Sequence, residues 1–147
     1  MERKTLEELP SWAAGLLDEA RVARLGLLDE DRRPRVLPVT FVVHAGSLWT
    51  AVDRKPKRDP AREPARVRFL RENPHAALTV DRYDDDWSRL AWVQVLGDVE
   101  LLPVDREAAT VAALTAKYPQ YARDPPPGPV LRLQPRRVLC WSATSPG

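Results

Sequence analysis

The sequence predicts a mainly β protein, a small antiparallel barrel with helices at its periphery. Short apolar stretches at Val22–Leu28, Arg35–His44 and Ser47–Val52 are broken only by a charged run at 29–33 and by Ala45-Gly46, which is the texture of consecutive hairpins. Helical segments are too few to serve as crossovers between parallel strands, which argues against a doubly wound sheet. The chain also carries 15 prolines against 6 glycines in 147 residues, so short elements with stiff connections are expected.

Taken in order, the chain opens with a helix from Thr5 to about Glu19. Thr5 and Glu8 have capping-box spacing, Trp12, Leu16 and Leu17 share a helical face, and Pro10 divides the segment. Three strands follow. In Val36–Val43 both parities are mostly apolar, which predicts cover on both sides, while Pro38 predicts an edge or a bulge. After the basic run Arg54-Lys55-Pro56-Lys57-Arg58 comes a helix over about Pro64–Glu72, stopped by Asn73-Pro74. His75–Arg82 and Leu90–Leu102 are strands; Ala91, Val93 and Val95 share one face of the second, and Gly97 marks a bulge. Asp105 is placed to cap a helix bearing Val111, Leu114 and Tyr118, and Val130–Trp141 is the closing strand. The whole chain, 1–147, reads as one domain with its barrel over about 22–141.

Composition narrows the function. With 23 Lys and Arg against 21 Asp and Glu, the net charge of +2 does not announce a nucleic-acid binder, and any anion site must be local. The chain lacks an apolar run long enough to span a bilayer, and its opening lacks the apolar stretch of a signal peptide, so a cytoplasmic location is expected. One cysteine, Cys140, excludes an internal disulfide framework, and its apolar neighbours make it a packed side chain. His44 and His75 have no ligand-like spacing with it, and the acidic run Asp84-Asp85-Asp86 lacks the pattern of a calcium loop, so no metal site is predicted. There is no G-x-G-x-x-G, no P-loop and no G-x-S-x-G.

Three features could carry chemistry. Arg54, Lys55, Lys57 and Arg58 directly follow a strand, and fixed cations in that position suit a phosphate, although a solvated loop has the same composition. Trp49, Tyr83, Trp87 and Trp92 could form an aromatic wall over a planar ligand, or could be core packing. Gln94, between Val93 and Val95, could reach the edge of a heterocycle or bond a neighbouring strand.

As an ordered set, Arg-Leu-Gly-Leu-Leu-Asp (24–29), Arg-Pro-Arg-Val-Leu-Pro-Val-Thr-Phe (33–41), Leu-Trp-Thr-Ala-Val-Asp-Arg-Lys-Pro-Lys-Arg (48–58), Asn-Pro (73–74) and Tyr-Asp-Asp-Asp-Trp-Ser-Arg-Leu (83–90) resemble the pyridoxamine 5′-phosphate oxidase-like flavin split barrels. The last blocks resemble in particular the branch of coenzyme F-420 (deazaflavin)-dependent oxidoreductases. The resemblance implies a six-stranded antiparallel split barrel that forms a homodimer with cofactor sites between the subunits. It implies that Val36, Pro38 and Thr40 lie along the tricyclic ring, that Thr50, Ala51 and Val52 approach the ribityl chain, and that Lys55, Lys57 and Arg58 hold the phosphate. By the same resemblance Gln94 reaches the cofactor from the partner subunit, and Tyr83, Trp87 and Arg89 line the substrate groove. Hydride transfer would then occur on the cofactor, with the protein supplying position and electrostatics. This is consistent with the lack of a catalytic constellation. The implied activity is hydride transfer between F-420 and a small unsaturated organic substrate; FMN in place of F-420, or a non-catalytic flavin-binding module, are the alternatives.

Overall fold

The computed structural model describes residues 2–53 and 63–144. Its opening helix is divided as the proline predicts: a 3-10 turn at Leu6–Glu8, then α1 (Ser11–Glu19). The Glu8 carboxylate accepts from the Thr5 amide and hydroxyl, both at 3.1 Å, and from the Lys4 amide. The Lys4 amide and the Thr5 hydroxyl hold its carboxyl below the usual range. Ala13, Leu16 and Leu17 of α1 are buried against the sheet.

The strands are β1 (Ala23–Leu28), β2 (Pro34–Val39), β3 (Val42–His44), β4 (Ser47–Ala51), β5 (His75–Arg82), β6 (Ala91–Leu102) and β7 (Val130–Ser142). They form one sheet in the order β2-β1-β5-β6-β7-β4-β3, and every pairing is antiparallel. Six strands were expected and seven are seen among the described residues. The stretch read as one strand over Arg35–His44 breaks at Thr40-Phe41, so β2 and β3 stand at opposite ends of the sheet order while being consecutive in the chain. One bent segment thus supplies both edges and rolls the sheet into a barrel. At the break the Phe41 amide, instead of extending a ladder, donates to the Tyr118 hydroxyl at 3.2 Å.

Turn chemistry sets the hairpins. Between β1 and β2 the Asp29 carboxylate accepts from the amides of Asp31 and Arg33, both at 2.9 Å, and Arg32 adopts a left-handed φ of 61°. That is the conformation glycine tolerates best, held here by a side chain that caps the turn. Ala45 and Gly46 both take positive φ between β3 and β4.

Gly97 lies at the predicted irregularity. The β6–β7 register shifts between Leu96, opposite Arg137, and Gly97, opposite Pro135, leaving Arg136 as the extra residue. A Cβ at Gly97 would stand 2.0 Å from the Gln134 carbonyl oxygen, so only glycine permits this approach. The bulge also switches parity along β7. Leu131 and Leu133 face the main core before it, and Val138 and Cys140 face it afterwards.

Helix α2 (Ala65–Glu72) buries Val67, Phe69 and Leu70 in the main core, and α3 (Ala108–Lys117) and α4 (Gln120–Arg123) follow β6. Asp105 is not a cap: it falls in a 3-10 turn, Val104–Arg106, and Glu107 holds the N-cap position of α3. Proline at 103 turns the chain one step earlier than the capping pattern suggests. Leu114, Tyr118 and Tyr121 make a second core with Val42, Trp49, Ala51 and Val130, on the barrel's outer side.

Candidate functional site

Residues expected along the ring separate at the β2 edge. Leu37 and Val39 turn toward the core, whereas Val36 is 71% exposed and Pro38 is open. The two-sided cover predicted for this strand is therefore not supplied by the described residues, none of which forms a layer over the outer face of β2. Thr40, at the break, is half-buried and its hydroxyl shares a 2.8 Å hydrogen bond with the Tyr121 hydroxyl. Neighbouring Tyr118 pins the same bend. Its hydroxyl accepts from the Phe41 amide, and its single proton can go to the Arg21 carbonyl at 2.9 Å or the Phe41 carbonyl at 3.1 Å.

On the same outer face, Pro38 stands opposite Arg24, Arg24 opposite Thr79, and Thr79 opposite Gln94. Directly opposed residues share a face, so the four form one rung. Gln94 spends a donor on Thr79, Nε2 to Oγ1 at 3.2 Å, and so bonds the neighbouring strand. It is three strand spacings from Pro38, about 14 Å. Within one chain the two residues do not meet.

Thr50, Ala51 and Val52 are 5%, 3% and 2% exposed. Ala51 belongs to the second core and Val52 to the main one. The Val52 amide donates to the Pro129 carbonyl at 3.3 Å, and the Ala51 carbonyl accepts from Arg66 Nη2 at 3.4 Å. Any ligand approaching here would meet backbone and not these side chains. Lys55, Lys57 and Arg58, with Arg54, lie outside the described residues, between the end of β4 and the start of α2.

Sequence reasoning missed Arg66, at the base of α2. It is half-buried, and its Nε is buried with no hydrogen-bond partner among the described residues. Burial lowers its pKa, while the charge of nearby Asp53 works against that shift. Nothing in Ala-Arg-Val-Arg-Phe-Leu-Arg-Glu separates Arg66 from its solvated neighbours, since which arginine turns inward depends on what packs over the helix.

The aromatic wall does not assemble. Trp49 is buried in the second core with Nε1 donating to the His44 carbonyl at 2.8 Å, whereas Tyr83 and Trp87 are 67% and 69% exposed. Trp92 pairs across the sheet with Trp141. Trp49 is taken up by the second core, whereas Tyr83 and Trp87 belong to the turn between β5 and β6 and not to a strand. The Tyr83–Trp87 turn is nevertheless well braced. Asp84 accepts from the Asp86 amide, Asp86 accepts from the Ser88 amide and hydroxyl, and Arg89 pairs with Asp84 at 3.4 Å. The acidic run is thus committed to turn-making, and the Ser88 hydrogen bonds hold the Asp86 carboxyl below its usual range. Arg89 is exposed, its carbonyl accepting from Arg82 Nε at 2.8 Å. No cluster of three or more metal-binding side chains occurs among the described residues, and Cys140 is buried. No helix among them is long and apolar enough to cross a membrane.

A family model, described as pyridoxamine 5′-phosphate oxidase, matches residues 10–142. The chain belongs to the pyridoxamine 5′-phosphate oxidase family. No curated protein matches it significantly in sequence. Among solved structures it is similar to the conserved hypothetical protein Rv2991 from Mycobacterium tuberculosis, at 15% identity and a TM-score of 0.76 over 99% of this chain and 91% of that one. It is also similar to an F420 reductase, at 20% identity and a TM-score of 0.67 over 89% and 98%. A third is an FAD-binding protein from Mesorhizobium loti, at 18% identity and a TM-score of 0.64 over 90% and 94%. At these identities the likeness is one of fold: a mainly antiparallel barrel of the pyridoxamine 5′-phosphate oxidase type.

Proposed function

We propose that this protein binds deazaflavin coenzyme F-420 at the interface of a homodimer and transfers hydride between it and a small unsaturated organic substrate. The observation that carries the reading is the bare outer face of β2, where Val36 and Pro38 offer an apolar strip that none of the described residues covers. A planar ring against that strip, closed over by a second copy, would bury it. The 14 Å between Pro38 and Gln94 supports the same arrangement, since a glutamine from the other subunit could reach a ring that its own cannot. Family membership and the fold shared with an F420 reductase support the choice of cofactor.

The residues present suit an anionic cofactor. Arg66 Nε offers a buried donor without a described acceptor, a few positions after Lys55, Lys57 and Arg58 in the chain. These four would hold the phosphate end by charge-assisted bonds. Thr40, fixed by Tyr121, would orient the ring edge, and Tyr83, Trp87 and Arg89 would shape the substrate side. The bound deazaflavin itself supplies the hydride chemistry. The protein's share is orientation and exclusion of water. The same reading places the protein in the cytoplasm.

Titration of the purified protein with F-420 and FMN, followed by absorbance and fluorescence, tests this. Each lysine–phosphate bond is worth about 1.5–3 kcal/mol, so Lys55→Ala with Lys57→Ala should weaken F-420 binding by about a hundredfold or more while the variant stays folded. Unchanged affinity would refute the phosphate assignment, and tight FMN with no F-420 binding would replace the cofactor. Sedimentation should give a dimer; full F-420 affinity in a monomer would remove the interface from the reading.

A further inference from the structure

A second set of cations gathers on the far side of α4. Tyr121 turns toward Thr40, while Gln120 and Arg123 of the same short helix line a cleft of about 350 Å³ with Arg21 and Pro119. Among the described residues no carboxylate lines this cleft. Arg21 is held in place: its guanidinium lies 4.6 Å from the centre of the Tyr118 ring, and Nη2 donates to the Lys117 carbonyl at 2.7 Å. One such bond leaves most of its fork of donors unused. Lys117 stands close by, its Nζ 3.8 Å from the Phe41 ring centre and 3.4 Å from the Leu17 carbonyl. Burial and then the charge of Arg21 bring the Lys117 ammonium down to about 8, with Asp18 of α1 working in the other direction. Asp124, which follows α4, has interactions of its own. Arg123 has no ion-pair partner among the described residues.

Holding like charges together is unfavourable unless something of opposite charge offsets them. Two arginines lining one cleft, the guanidinium of one of them stacked on an aromatic face, suit the planar or tetrahedral oxygens of an acidic group better than a neutral ligand. We propose that the Arg21–Arg123 cleft is an anion subsite, taking a carboxylate or phosphate group of a small acidic ligand. The subsite stands on its own geometry and does not depend on which cofactor the protein binds.

Citrate and inorganic phosphate, titrated calorimetrically into the full chain at low ionic strength, are the probes. The wild type should saturate with a dissociation constant in the millimolar range or tighter, and Arg123→Gln should weaken it about tenfold. Arg123 makes no hydrogen bond among the described residues, so this variant leaves the fold alone. Arg33→Gln, in the first hairpin turn, removes the same charge elsewhere and should leave affinity unchanged. Equal losses in the two variants, or no saturation in the wild type, would overturn the proposal. A repeat at saturating F-420 separates the sources of the anion. Competition assigns the subsite to the cofactor's acidic end, and undisturbed citrate binding assigns it to a separate acidic ligand. Failure of F-420 to bind would remove the cofactor reading while leaving the citrate and phosphate titrations intact as a test of the cleft.

Discussion

Replacing Tyr118 by phenylalanine removes one oxygen from the bend that closes the barrel. Tyr118 is 6% exposed and Phe41 is fully buried, so the Phe41 amide would lose its only described acceptor in a place water does not reach. The carbonyls of Arg21 and Phe41 would lose the donor they share. A stranded buried donor costs about 1–3 kcal/mol, and the ring itself stays to pack against Arg21 and Tyr121, so the expected destabilisation is about 2–3 kcal/mol. For a domain of this size that lowers Tm by roughly 4–12 °C. Urea unfolding should show the midpoint falling with the slope unchanged, since the exposed surface is the same in both proteins. Tyr121→Phe is the comparison: among the described residues its hydroxyl hydrogen-bonds only the half-buried Thr40 hydroxyl, at 2.8 Å, and its loss should cost about 1 kcal/mol or less. A Tyr118→Phe protein within about 0.5 kcal/mol of wild type, or a larger loss in Tyr121→Phe, would refute this account of the bend.

Gly97→Ala puts a methyl 2.0 Å from the Gln134 carbonyl, a backbone atom that cannot rotate away; a loss of about 3 kcal/mol is expected in chemical unfolding, and a neutral result would show that the bulge shifts freely. Lys117 gives a pH dependence of definite sign. Its folded pKa is about 8 against an ordinary 10.5, set first by burial and then by Arg21, so between these values the unfolded chain holds the proton that the folded one has released. Stability should therefore rise with pH across that window in wild type relative to Lys117→Met, measured by urea midpoints, and an equal response in both proteins would contradict the assignment.

Local signals carried most of the elements. Pro10 splits the first helix, Asn73-Pro74 ends α2, and Gly97 marks the bulge, because each acts through backbone terms confined to a few residues. The misreadings share a cause. Val36–Val43 has apolar residues on both parities, which says that both faces are apolar but not whether one chain covers them. Asp105 has a capping side chain, but Pro103 fixes the chain's direction before it can act. The four aromatics are compatible with a wall in composition, and only the tertiary placement of β4 and of the β5–β6 turn sends Trp49 into the second core and leaves Trp87 in solvent.

The amino-acid order alone determined the antiparallel, helix-poor character of the chain, its turns and its basic segment, since these follow from propensities and charges within a few residues of one another. The tertiary structure decided which groups share a place: Thr40 with Tyr121, the inward turn of Arg66, and the cleft between Arg21 and Arg123. Those pairings join residues up to about a hundred positions apart, and no local term encodes them. They arise only when a bent strand lends both its halves to opposite edges of one sheet and the helices pack against it.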